Sequence, residues 1–97
     1  MVDAADRDRF ELLDGDEVVG FIQYTRRPGQ ISFLHTEIDD EHEGEGLASE
    51  LAAAALDTAR DDGLAVLPFC PFVNSYIRRH PEYLDLVPED RKAQFGL

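Results

Sequence analysis

An alanine-rich run at residues 47–60 constrains the fold of this chain more than any other feature. Its apolar positions recur at the spacing of one helical face, and alanine has the highest helix propensity. Small side chains on that face allow the helix axis to lie close to a neighbouring sheet. The positions concerned are Ala48, Leu51, Ala52, Ala55 and Ala59. We predict a helix packed against a β-sheet and ended near Gly63, which stands where a left-handed residue is expected.

Three strand-like segments precede this helix. Residues 9–13 and 17–25 flank an Asp-Gly turn signal and predict a β-hairpin. Residues 31–38 follow a Pro-Gly pair suited to a type II turn and predict a third antiparallel strand. Simple alternation along that strand places Ile31, Phe33 and His35 on one face, and Leu34, Thr36 and Ile38 on the other.

After the helix, residues 64–69 predict a short apolar strand whose regular pairing ends near Pro68 and Pro71. Residues 72–80 predict a short amphipathic helix stopped by Pro81, and residues 84–87 a further apolar turn. The order β-β-β-α-β-α predicts an α+β fold: a mostly antiparallel sheet, one main crossing helix and a short C-terminal helix. We expect residues 1–97 to form a single domain, since 97 residues supply one modest core.

The charge balance narrows the classes of partner. The chain has nine basic and 21 acidic residues, and the resulting net charge of −12 repels nucleic acid and anionic membrane surfaces. Asp outnumbers Glu and Lys92 is the only lysine, which resembles the acidic surfaces of halophilic proteins. No apolar run is long enough for a membrane span. We expect a cytoplasmic protein, a monomer or weak dimer.

The turn before the alanine-rich helix predicts an anion site. Glycines at a strand-to-helix turn let a ligand approach the backbone, and the free N–H groups of the first helical turn attract a phosphate-type anion. A plain structural turn is the alternative, and the glutamates of this segment would repel an anionic ligand. The candidate residues are Glu43, Gly44, Glu45, Gly46, Leu47 and Ala48.

The lone Cys70 is the second candidate. Pro71 favours an extended Cys70 and suits the first position of a helix, so we predict Cys70 at or near the helix N-cap. The alternative is a small buried hydrophobe. His35 is the third candidate: a hydrogen-bonded structural residue, or a base for Cys70 if the two strands are neighbours. A zinc site from His35, Cys70 and either His42 or His80 lacks supporting ligand spacing, and we predict no metal.

The helix after Cys70 carries further polar candidates. Asn74 follows the thiol closely, and Tyr76 fits both a ligand site and the apolar face of the helix. In the pair Arg78-Arg79, either a phosphate contact or local pairing with Glu82 or Asp85 is expected.

Two sequence motifs carry a resemblance to a known family. His35-Thr36-Glu37 comes before the glycine turn, and Cys-Pro-Phe-Val followed by Tyr-Ile-Arg-Arg-His-Pro-Glu-Tyr runs from Cys70 to Tyr83. With the predicted strands, they resemble the small GCN5-related N-acetyltransferases, in particular the compact YjdJ-like branch. The superfamily glycine pattern matches at Gly44 and Gly46. Glu41 departs from its first position.

The resemblance implies an acetyl-CoA-dependent N-acetyltransferase acting on an unidentified amine, which could belong to a macromolecule. It implies that the pyrophosphate binds the N–H groups around residues 44–48 and that the pantetheine arm runs beside the end of strand 64–69. Asn74, Tyr76 and Arg79 are the further cofactor-binding candidates. Because of the glutamates, we predict weak acetyl-CoA binding in dilute buffer.

Two catalytic routes are open. In direct transfer, His35 helps to deprotonate the amine while Cys70 protonates the CoA sulfur. In a ping-pong route, Cys70 is itself acetylated, with His35 as its base. The alternative classes of function are a non-catalytic acyl-CoA-binding or protein-interaction module on the same fold, and a purely structural acidic protein.

Overall fold

The structure is a computed structural model, and it describes residues 1–42 and 46–97, with the side chain of His42 left out. The described residues form five strands and two α-helices, and short 3-10 segments follow β1, β4 and α2. The strands are β1 (Val2–Ala4), β2 (Arg9–Asp14), β3 (Glu17–Arg27), β4 (Gln30–Ile38) and β5 (Ala65–Pro68). The helices are α1 (Leu47–Asp61) and α2 (Pro71–Arg79). The predicted α+β fold is confirmed.

The strands form one sheet in the order β1-β2-β3-β4-β5. The first four pair antiparallel, whereas β4 and β5 pair parallel because α1 crosses over between them. The left-handed Gly15 (φ 62°) and Gly29 (φ 77°) stand at the two hairpin turns, as their sequences predict.

The predicted face of α1 is the one that it buries. Leu51, Ala52, Ala55, Leu56 and Ala59 are buried in a single hydrophobic core, together with Ile22 and Phe33 of the sheet. Four of these five positions are the predicted ones, and Gly63 follows the helix with φ 68°. The small alanine side chains permit the close contact between helix and sheet that the sequence predicts.

A β-bulge in β4 changes the predicted faces of that strand. Gln23 pairs with His35 and Tyr24 with Phe33, so Leu34 is an extra residue opposite β3. The alternation is thereby shifted by one position after Phe33. Thr36, opposite the buried Ile22, takes the core face, whereas His35 lies on the other face with Gln23. The prediction that His35 shares the face of Ile31 and Phe33 is therefore wrong.

The two ends of the chain add structure that the sequence did not predict. Strand β1 pairs with β2, and the Tyr24 hydroxyl donates a hydrogen bond to Asp3. Beyond Pro88, two short 3-10 turns bring Phe95 into an edge-to-face contact with Phe69, with ring centroids 5.0 Å apart. Among the helices of the described ranges, none is both long and apolar enough to cross a membrane.

Candidate active site

A gap between β4 and β5 is the central feature of the candidate site. The parallel register joins Gln30–Phe33 to Ala65–Pro68, and the Cys70 N–H closes it with a hydrogen bond to the Phe33 carbonyl at 2.7 Å. Strand β4 then bulges and runs on to Ile38, while the chain after β5 turns into α2. Among the described residues, β4 beyond Phe33 has no strand partner on its β5 side. The sheet is open there.

Cys70 lies at this opening. It is the N-cap of α2 with an extended backbone (φ −66°, ψ 123°), and Pro71 is the first helical residue, as the sequence predicts. The residue is 2% exposed, and its sulfur lies 3.1 Å from the Thr36 hydroxyl. The bulge produces this contact, because it turns Thr36 rather than His35 towards the core.

His35 lies on the opposite face of β4 and is well exposed. Its Nε2 is 3.4 Å from a carboxylate oxygen of Glu37, and its ring makes an edge contact with Phe21. The structure therefore joins Cys70 to a hydroxyl, and it places His35 beside a carboxylate and an aromatic ring.

A surface cavity of about 800 Å³ lies on the His35 side. Its lining includes Arg9, Phe21, His35, Thr36 and Glu37. The Arg9 guanidinium lies over the Phe21 ring and is bound to Glu11 at 2.7 Å. Cys70 is not among the lining residues, so the cavity lies along the outer face of the sheet, on the side of His35.

The glycine turn is described only at its C-terminal end. Gly46 precedes α1 in a left-handed conformation (φ 75°), which favours glycine although a Cβ there would meet no atom within 4 Å. Leu47 and Ala48 form the first turn of α1 and are half-buried. The other candidates of this turn, Glu43, Gly44 and Glu45, lie outside the described residues.

The polar residues of α2 divide between two environments. Asn74 and Arg78 both donate to the carbonyl of Phe95, at 2.9 and 3.3 Å, and both line a second cavity of about 490 Å³ beside Phe69. Arg79 is exposed and is not among the residues that line it. Tyr76 is buried and stacks on the His80 ring at 4.1 Å, so the structure places it in the core.

The structure also bears on the expected ion pairs of α2 and on the zinc alternative. The alternative of local pairing between Arg78-Arg79 and Glu82 or Asp85 is not found among the ion pairs of the described residues, and Arg60 of α1 binds the Asp85 carboxylate at 2.8 and 3.0 Å instead. This guanidinium holds the pKa of Asp85 below its usual range. The described residues gather no group of three His, Cys, Asp or Glu side chains able to hold a metal, so the zinc alternative finds no ligand set there.

Two arrangements escaped the sequence analysis. The Thr36–Cys70 contact depends on a bulge that the alternating pattern does not reveal. The position of Arg78 beside the smaller cavity depends on the C-terminal turns, which have no clear pattern in the sequence. The N-cap position of Cys70, in contrast, follows from Pro71 alone.

Comparison with known proteins assigns the family. A family model described as GCN5-related N-acetyl-transferase matches residues 9–86, which contain β2 to β5, both helices and Cys70. The chain belongs to this family. The YjdJ-like branch stays a prediction.

Curated relatives match the chain over a shorter span. Protein NATD1 of Gallus gallus and Protein NATD1 of Mus musculus are each 33% identical over 57 residues, which cover 57% of this chain and 52% of theirs. Protein NATD1 of Homo sapiens is 33% identical over 57 residues, 50% of its length. The chain thus matches about half the length of these curated relatives.

Proposed function

We propose that this protein is an acetyl-CoA-dependent N-acetyltransferase that transfers the acetyl group directly to an amine. The observation that carries the proposal is the gap between β4 and β5, at which the Cys70 thiol and the Thr36 hydroxyl meet. Membership of the GCN5-related family supports the reaction class. The gap supports a binding position for the thioester, since it leaves the backbone edge of β4 available.

The proposed cofactor position follows the gap towards α1. The N–H groups of the first turn, around Gly46, Leu47 and Ala48, attract the pyrophosphate, because the first four N–H groups of a helix have no partner within it. The left-handed Gly46 supports this role. The pantetheine arm then lies along the open edge of β4, and its sulfur ends near Cys70.

Acetyl-CoA supplies an activated acetyl thioester, and the protein must provide proton transfers at both ends of the reaction. A base takes the proton of the amine, and an acid gives one to the sulfur that leaves. In the proposed site His35 is the base, because it faces the larger cavity, where an amine can enter. Cys70 is the acid, because its thiol lies at the gap, where the proposed cofactor position puts the CoA sulfur.

The geometry favours this direct route over an acetylated Cys70. A nucleophilic thiol needs an adjacent base to take its proton, and the described partner of Cys70 is the neutral hydroxyl of Thr36. Cys70 is also almost fully buried. An acid role requires only that its proton reach the neighbouring sulfur.

The test is release of the CoA thiol from acetyl-CoA in the presence of a panel of primary amines. The parent should turn over with at least one amine. Cys70→Ala should lower kcat by roughly 100-fold, the usual scale for a general acid. His35→Ala should lower kcat more near neutral pH, where most of the amine is protonated and needs a base, than in alkali, where the amine is already free. His80→Ala is the matched control, because His80 stacks on Tyr76 away from the gap.

Two results would contradict the proposal. Full activity of Cys70→Ala would remove the thiol from the mechanism. If acetyl-CoA binds by calorimetry while no amine on the panel is acetylated, the chain is the non-catalytic acyl-CoA-binding module instead.

A further inference from the structure

The contact between Thr36 and Cys70 joins residues 34 positions apart in the chain, at the point where the sheet opens. Its 3.1 Å separation of oxygen and sulfur is within hydrogen-bond range, with either atom able to donate. The bulge at Leu34 is what brings the hydroxyl to this face.

The two side chains differ in what they donate and accept. A hydroxyl has one donor and two acceptor lone pairs, whereas a thiol is a weak donor and a weak acceptor. When the hydroxyl donates to the sulfur, the S–H proton is left free to point elsewhere. The same hydrogen bond becomes stronger once the sulfur is a thiolate, because its acceptor is then charged.

We propose that Thr36 is a positioning residue whose hydroxyl donates to the Cys70 sulfur, directs the thiol proton into the gap and stabilises the thiolate that remains after proton transfer. This inference rests on the proposed function for its catalytic consequence. The hydrogen bond itself does not depend on that function.

The proton balance of the step is closed. The bond between the amine nitrogen and the acetyl carbon forms as the carbon–sulfur bond breaks, and Cys70 gives its proton to the leaving sulfur. The proton lost by the amine goes to His35. Transfer of that proton through solvent restores the Cys70 thiol, so no further reactant is needed.

Two variants separate positioning from packing. Thr36→Val keeps the shape of the side chain and removes the hydroxyl, whereas Thr36→Ser keeps the hydroxyl and removes a methyl group. Because Cys70 is the only cysteine, the ultraviolet absorbance of the thiolate reports its titration without interference from another thiol. Cys70→Ser gives the blank, and circular dichroism defines the pH range in which each variant stays folded.

We expect Thr36→Val to raise the thiol pKa, because the thiolate loses the hydrogen bond that stabilises it. Its kcat for thiol release from acetyl-CoA should fall about 3- to 10-fold, with KM for acetyl-CoA unchanged. Thr36→Ser should match the parent in both measurements, because it retains the donor.

An unchanged thiol titration in Thr36→Val overturns the inference, since the hydroxyl then only fills space. Equal losses of kcat in the Val and Ser variants also overturn it, because packing would explain both. Failure of the proposed function looks different: the parent then releases no thiol from acetyl-CoA, while the titration still shifts in Thr36→Val and not in Thr36→Ser.

Discussion

Two buried tyrosines each link segments that are distant in the sequence through a single hydrogen bond. The Tyr83 hydroxyl donates to Asp57 of α1 at 2.9 Å, and the Tyr24 hydroxyl of β3 donates to Asp3 of β1. Burial, followed by the bond to Asp57, raises the pKa of Tyr83 to about 12. Burial and the bond to Asp3 raise the pKa of Tyr24 as well. Both phenols are therefore held neutral in the folded state.

This arrangement predicts a loss of stability in alkali. An unfolded tyrosine titrates near pH 10, so the unfolded state releases the proton first and is favoured as the pH rises from about 10 through about 12. Below pH 10 the stabilising contribution is fully present. Tyr83→Phe should lower the free energy of unfolding by about 1 kcal/mol at neutral pH, through the lost hydrogen bond, and should flatten its decline in alkali. Urea unfolding at a series of pH values tests this, and parallel pH profiles for parent and variant would contradict it.

At the scale of elements, the end of β4 is held against β3 by a close approach at Gly20. A Cβ there would lie 2.5 Å from the Cδ1 of Ile38 and 3.1 Å from the carbonyl oxygen of Glu37. The side chain of Ile38 can move, whereas the carbonyl is part of the strand pairing. Gly20 thus allows β4 to hold Thr36 and Glu37 where they stand.

We expect Gly20→Ala to destabilise the protein by roughly 1–3 kcal/mol, the usual cost of overpacking. Ile38→Val removes the terminal methyl group and should recover part of that loss when combined with Gly20→Ala, although alone it costs about 1 kcal/mol. Chemical denaturation of the two single variants and the double variant measures the coupling. Strictly additive effects would show that the two side chains do not meet.

The elements that sequence could predict are those with a strong local signal. Helix α1 ends one residue from its predicted end, since an alanine-rich face is unambiguous, and Pro71 fixes the start of α2. Strand β1 has only three residues, which is too short for a periodic pattern to predict a strand or its pairing with β2.

The bulge in β4 shows why the site was only partly predictable. Leu34 and Ile38 are both apolar, so the sequence after Phe33 fits both a regular strand and a strand with one extra residue. The pairing of β4 with β3 decides between these two registers. Sequence motifs could identify Cys70 and residues 35–37. The face of the sheet on which each of residues 35–37 lies, however, depends on one extra residue in β4. That shift replaces His35 by Thr36 as the partner of the thiol.

At the scale of the whole molecule, the net charge of −12 opposes the compact state in dilute buffer. Ion pairs such as Arg60–Asp85 and Arg26–Asp62 join exposed side chains and contribute little each. Salt weakens these pairs, but it also screens the larger repulsion among the excess carboxylates. The second effect should dominate.

We therefore predict that the melting temperature is higher in molar potassium chloride than in dilute buffer. We also predict that the affinity for acetyl-CoA increases with salt concentration. Scanning calorimetry and titration calorimetry measure the two effects. A melting temperature that stays constant or falls would contradict the account of the acidic surface, as would acetyl-CoA affinity that weakens steadily with salt.

The central claim is direct acetyl transfer at the gap between β4 and β5, with Cys70 as the acid. Intact-protein mass spectrometry during a single turnover with acetyl-CoA and an amine, in molar salt, tests it most directly when the parent is compared with Cys70→Ser. The account predicts that the acetyl group appears on the amine, more slowly in Cys70→Ser, with no acetylated protein at any time. A transient gain of one acetyl group that depends on Cys70, or no acetylated amine at all, would contradict it.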